Sequence, residues 1–90
     1  MNFAKLANME HYLIETNFPG FNRSLLVLVR QDEKIKRKYY YDLYQAGDFL
    51  GTIFQVTSSR GTITWDSIQE MDQGFVTLIG KQILIIRHRK

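Results

Sequence analysis

Lys34-Ile35-Lys36-Arg37-Lys38 runs directly into Tyr39-Tyr40-Tyr41. Lysine and arginine attract phosphates, and flat aromatic rings take stacked bases, so this run holds the two ingredients of a nucleic-acid contact. Arg87, Arg89 and Lys90 form a second basic group, and the two groups together hold seven of the 12 lysines and arginines. On one side of the molecule they would make an electrostatic footprint, with Lys34, Lys36, Arg37, Lys38, Tyr40, Arg87 and Arg89 as contact residues. The competing interpretation is a solvated turn at 34–38 and a helix end closed by cations, and Asp32 and Glu33 dilute the first group.

Other chemistry is thin. No cysteine is present, which removes disulfides, thiol catalysis and cysteine-ligated zinc together. His11 and His88 are the two histidines and stand at opposite ends of the chain, and Glu10 beside His11 does not complete a metal site. Ser58 and Ser59 share a loop with Arg60 and Gly61, and no base or orienting group accompanies them. The glycines do not make a phosphate-cradling loop; Gly51 fits a bulge or the close approach of another side chain, such as Trp65. Asp42, between Tyr40 and Tyr44, is expected to pair with a lysine, and a lone carboxylate is not an acid–base site. No enzyme activity, metal, cofactor or small-molecule ligand is expected.

The aromatic residues belong to a hairpin. Lys38 to Gln45 is rich in strand-favouring tyrosine, Ala46-Gly47 turns the chain, and Asp48 to Val56 returns. A two-residue loop pairs Tyr44 with Phe49 and Leu43 with Leu50. Alternation then puts Tyr39, Tyr41, Leu43, Leu50, Thr52 and Phe54 on one face, and Tyr40, Asp42, Tyr44, Phe49, Gly51 and Ile53 on the other. A glycine bulge at Gly47 would shift this sorting by one residue. Neither face is polar, whereas a sheet with one wet face should be. One helix covers one face, so the other is covered by the N-terminal segment, covered by another chain, or left as an aromatic contact patch. Tyr40, Tyr44, Phe49 and Ile53 are the candidate partner-binding residues, set against ordinary packing as tyrosine-rich strand core.

Elsewhere, His11 to Thr16 and the apolar run Leu25 to Val29 read as strands, and Thr62 to Thr64 as a short one. Phe3, Leu6, Met9 and Tyr12 offer a weak helical stripe over residues 3–13; with Met9 as a start codon, residues 1–8 would be a ragged leader. Asn17-Phe18-Pro19-Gly20 is a turn. After Trp65 the apolar period lengthens, with Ile68, Met71, Phe75, Leu78, Ile79, Ile83 and Ile86 on one stripe. Ser67-Ile68-Gln69-Glu70 matches a capping box, so the pattern predicts a helix from Asp66 to about Ile85. A hairpin turning at Gly80-Lys81 is the alternative, because Gly74 and Gly80 each cost a helix about 1 kcal/mol relative to alanine.

Ninety residues make one domain, 1–90, too small for a deep enclosed site. The hydrophobic fraction of 44% and charged fraction of 23% are those of a globular chain, and a net charge of +3 permits an anionic partner without requiring one. Met1 to Lys5 lacks the pattern of a signal peptide, and the most apolar stretch, Phe75 to Ile86, is broken by Thr77, Gly80, Lys81 and Gln82. A cytoplasmic location with no membrane contact follows as the expectation. The predicted fold is α+β: a small antiparallel sheet of about four or five strands, connected as a meander of hairpins, with one C-terminal helix packed on one face. The predicted role is a non-enzymatic interaction domain that binds a protein partner or itself, with nucleic-acid binding as the alternative.

Overall fold

Tyr12 and Ile14 are the buried residues of β1 (His11–Glu15), and their cross-strand partners, Val27 and Leu25, are buried in β2 (Ser24–Gln31). Three further strands, β3 (Tyr39–Gln45), β4 (Asp48–Thr57) and β5 (Ile63–Ser67), complete the sheet in a computed structural model that describes residues 10–16 and 24–88, and the centres of β3 and β4 are buried on both faces. Each strand pairs antiparallel with its neighbour in sequence, giving a five-stranded meander in the order β1-β2-β3-β4-β5. Helix α1 (Gln73–His88) follows the last strand and lies across one face of the sheet, packed against β5, β4 and β1. The fold is therefore the expected α+β sheet with one C-terminal helix on one face. The Asn17–Gly20 turn and the leader over residues 1–8 lie outside the described residues. Of the helix considered for residues 3–13, the described end is instead strand β1.

The inner face is the core. Leu25, Val27, Leu43 and Ile53 from the sheet meet Phe75, Val76, Ile79 and Ile83 from α1, all fully buried, with Tyr12, Ile14, Tyr41 and Trp65 around them. Burying an aliphatic or aromatic side chain of this kind contributes about 1.5–3 kcal/mol, so this layer is the main stabilising term.

The β3–β4 turn is tight. Ala46 and Gly47 both take positive φ, +50° and +87°, the geometry of a two-residue hairpin whose twist matches its strands. Tyr44 pairs with Phe49 as expected, but Leu43 then faces Gly51 instead of Leu50, because a bulge interrupts the register after Tyr44. Gly51 has φ +156°, and an added Cβ would lie 2.5 Å from Met71 Sδ; the side chain that closes on it is Met71, and Trp65 closes on Gly80 instead. The extra residue reverses the facing of everything beyond it. Ile53, expected on the second face, is fully buried in the core, and Thr52 and Phe54 point to the outer face instead.

The helix starts later than its capping box. Trp65, Asp66 and Ser67 continue β5, with Ser67 opposite Ile53, and sheet pairing wins over the local signal. Asp72 caps instead: its Oδ1 accepts the Phe75 amide at 2.9 Å and its carbonyl accepts the Val76 amide at 3.0 Å. Gln73 Nε2 donates to the Trp65 carbonyl at 2.7 Å and ties the helix start to β5. Gly80, which the hairpin alternative placed in a turn, is helical; the Trp65 ring lies where its Cβ would be. Arg87 and His88 occupy the last turn, where positive charge suits the helix dipole.

Candidate functional site

The face of the sheet away from α1 divides into two halves. At the β3–β4 turn end it is apolar. Leu13 of β1 sits opposite Leu26 of β2, Leu26 opposite Tyr44 of β3, and Tyr44 opposite Phe49 of β4. Leu13 is 73% exposed and Phe49 49% exposed, while Leu28 is buried. Between them lies a groove of about 260 Å³, lined by Leu13, Ser24, Leu26, Leu28, Tyr44, Ala46 and Gly47, none of them charged. Tyr44 walls one side of it, and its ring meets that of Phe49 at 5.4 Å between centroids. Local sequence accounts for this surface: Leu25 to Val29 is apolar at both alternating positions, so the strand sends Leu25, Val27 and Val29 inward and Leu26 and Leu28 outward.

The other half is polar and internally satisfied. Asp42 is buried near the centre of the sheet and accepts from Arg30 Nε at 2.8 Å, Arg30 Nη2 at 3.2 Å and Thr52 Oγ1 at 2.7 Å. The expected lysine partner is thus an arginine, whose planar fork suits both carboxylate oxygens. The Arg30 guanidinium also lies 5.2 Å from the Tyr40 ring centroid, and Tyr40 donates its hydroxyl to Asp32 Oδ2 at 3.0 Å. Tyr40 packs edge-on to Phe54 at 6.0 Å, and the Lys38 ammonium covers both rings.

The structure therefore separates the four residues read as one patch. Tyr44 and Phe49 share the apolar half, Tyr40 belongs to the polar network, and Ile53 is core. Leu13, Leu26 and Leu28 complete the patch and were not singled out from the sequence. The signal for Leu26 and Leu28 was the unbroken apolar run in β2, which is apolar on both faces; Leu13, in β1, joins them through the β1–β2 register.

The basic groups converge in part. Residues 32–38 form the β2–β3 connection, with Lys34, Lys36 and Arg37 exposed. Asp32 shapes it: Oδ1 accepts the Lys34 and Ile35 amides, each at 2.8 Å. Those two amides and the Tyr40 hydroxyl hold the Asp32 carboxyl below the usual carboxylate range. Arg87, at the far end of α1, reaches the same end of the sheet on the inner side. Its guanidinium lies 4.6 Å from the Tyr39 ring centroid and bonds Glu10 at 3.1 Å. Arg89 lies outside the described residues.

Nearby, Tyr12 donates its hydroxyl to Glu10, and burial, reinforced by this bond, pushes the phenol up to about 12. Burial likewise raises Tyr41. Among the described residues no group of three or more histidine and acidic side chains is placed to hold a metal ion, and no helix is long and apolar enough to cross a membrane. Comparisons of the chain with protein-family models, with curated proteins and with solved structures gave no match.

Proposed function

We propose that this chain is a non-enzymatic interaction domain that pairs with a second copy of itself through the apolar half of the outer sheet face. The observation that carries this reading is Leu13, 73% exposed on the edge of an uncharged groove floored by Leu26 and Leu28. A sheet face turned to solvent is expected to be polar, and a contiguous apolar patch marks a contact surface. Projecting side chains and a hollow on one face are what a two-fold pair requires, because each copy must offer both halves of the contact. Leu13 and Phe49 are the projections, and the Leu26–Leu28–Tyr44 groove is the hollow. Arg30 and Asp42 neutralise one another beside the patch, so stacking two such faces brings no unpaired charge of this pair into contact.

Sedimentation of the full chain over a concentration series tests the pairing. The expected result is a reversible monomer–dimer equilibrium that the Leu13→Gln, Phe49→Gln double variant shifts to monomer while its circular dichroism stays that of the folded chain. A wild-type chain that remains monomeric at every concentration overturns the proposal, as does a variant that dimerises undiminished.

A further inference from the structure

We propose that a second groove, on the inner face beyond the end of α1, binds the backbone of single-stranded nucleic acid and seats a base against its aromatic wall. This groove is about 260 Å³ and lies between the β2–β3 connection and the sheet. Lys36, Arg37 and Lys38 stand on one side, Tyr39 and Tyr41 form a wall, and Gln55 and Thr57 of β4 lie opposite. Arg87 lies against the Tyr39 ring at 4.6 Å and against the Tyr41 ring at 6.0 Å, so one cation of the second basic group, itself paired with Glu10, reaches the same aromatic wall.

The charge here is available. Among the described residues, Lys34, Lys36 and Arg37 close no ion pair, and Lys38, also outside any ion pair, rests its ammonium over the Tyr40 and Phe54 rings. Of the two acids that precede the cluster, Asp32 has both oxygens turned into its own loop, on the Lys34 and Ile35 amides and the Tyr40 hydroxyl, and Glu33 is exposed beside Lys34. Arg37 is held at φ +64°, a conformation most residues avoid, at the corner of the basic loop. Strain of this kind persists where the surrounding structure imposes it and is concentrated at binding sites.

The shape selects the ligand. A single strand can lay phosphates along the cations and turn an unpaired base into the groove, where the half-buried Tyr39 ring offers an aromatic surface regardless of sequence and the buried Tyr41 backs it. Gln55 Nε2 donates to Thr57 Oγ1 at 3.2 Å, which leaves the Gln55 carbonyl oxygen as an acceptor and the Thr57 hydroxyl as a donor for a base edge. A duplex keeps its bases stacked inside and reaches only the rim. A flat lipid surface likewise touches the exposed cations without entering the hollow.

Fluorescence anisotropy with a labelled, mixed-sequence single-stranded DNA oligonucleotide tests this on the full chain. Binding is expected at low salt, with log K falling against log salt at a slope of about −2 for three phosphate contacts at roughly −0.7 each. Lys36→Ala with Arg37→Gly should weaken binding about tenfold or more and flatten the slope by about 1.4, since two of those contacts go. The duplex and an abasic strand of equal length should both bind more weakly than the intact single strand. Absence of binding at low salt overturns the proposal. So does equal binding of the abasic strand, an unchanged affinity in the double variant, or binding to anionic phosphatidylserine vesicles with none to the oligonucleotide. Leu13→Gln with Phe49→Gln should leave oligonucleotide affinity unchanged, so this site and the pairing face stand or fall separately.

Discussion

Arg30 and Asp42 are diagonal neighbours on adjacent strands, Arg30 opposite Tyr40 and Asp42 opposite Leu28, and the guanidinium closes on both carboxylate oxygens at 2.8 and 3.2 Å. The two ends of this bond are unequally buried, with side chains 47% and 13% exposed, and they should respond unequally to removal. Arg30→Ala leaves Asp42 its Thr52 bond and access to water, so its cost should stay below about 1 kcal/mol. Asp42→Ala strands a buried Thr52 hydroxyl and the inner side of the guanidinium, and should cost about 2 kcal/mol. Urea unfolding of both variants measures the difference; equal losses would show that the carboxylate is not the hub.

Gly80 gives a prediction whose sign opposes intrinsic propensity. Alanine in a helix interior is normally favoured over glycine by about 1 kcal/mol. Here the new methyl would collide with the Trp65 ring, and forcing extra volume into a packed core costs about 1–3 kcal/mol. Gly80→Ala should therefore destabilise the fold, with a lowered urea midpoint and altered Trp65 fluorescence. Gly74→Ala, in the exposed first turn of α1, should be neutral or stabilising by up to about 1 kcal/mol. If Gly80→Ala also stabilises, α1 and β5 are not in close contact.

The raised phenol of Tyr12 makes stability fall at high pH. Its folded value is about 12 against an ordinary value near 10, so between those limits the unfolded chain loses its proton first. The folded state then holds more protons than the unfolded one, and stability declines as pH rises through that window. Two pH units correspond to at most about 2.7 kcal/mol by pH 12. Urea midpoints from pH 9 to 12 should show the decline, and Tyr12→Phe should flatten it. A Tyr41 contribution of the same sign should remain in the variant, because burial raises that phenol too.

The strand order and the hairpin turn were legible because each depends on neighbours in sequence. A tyrosine-rich strand before Ala46-Gly47 and an apolar one after it specify a local pairing that the fold keeps. The facing of Ile53 was not legible. It depends on the bulge beside Leu50, where Gly51 lies under Met71, a residue twenty positions further along the chain. The start of α1 failed for a related reason. Ser67 to Glu70 can satisfy helix amides locally, but Ser67 gains a partner strand, and Asp72 does the capping. Of the candidate site, Tyr44 and Phe49 could be read from the hairpin alone. Leu13 and Leu26 required knowing that β1 pairs with β2 in the register that aligns them.

The position of α1 after all five strands matters during synthesis. A ribosome delivers the complete sheet before the segment that shields Leu25, Val27, Leu43 and Ile53 has emerged. Until then the nascent meander is apolar over its inner face and half of its outer one, which is the condition under which incomplete chains stick to one another. A polypeptide stopped before Gln73 should accumulate as aggregate or in chaperone complexes. The yield of native molecules in a cell should accordingly depend on how quickly the last sixteen helical residues are translated and docked.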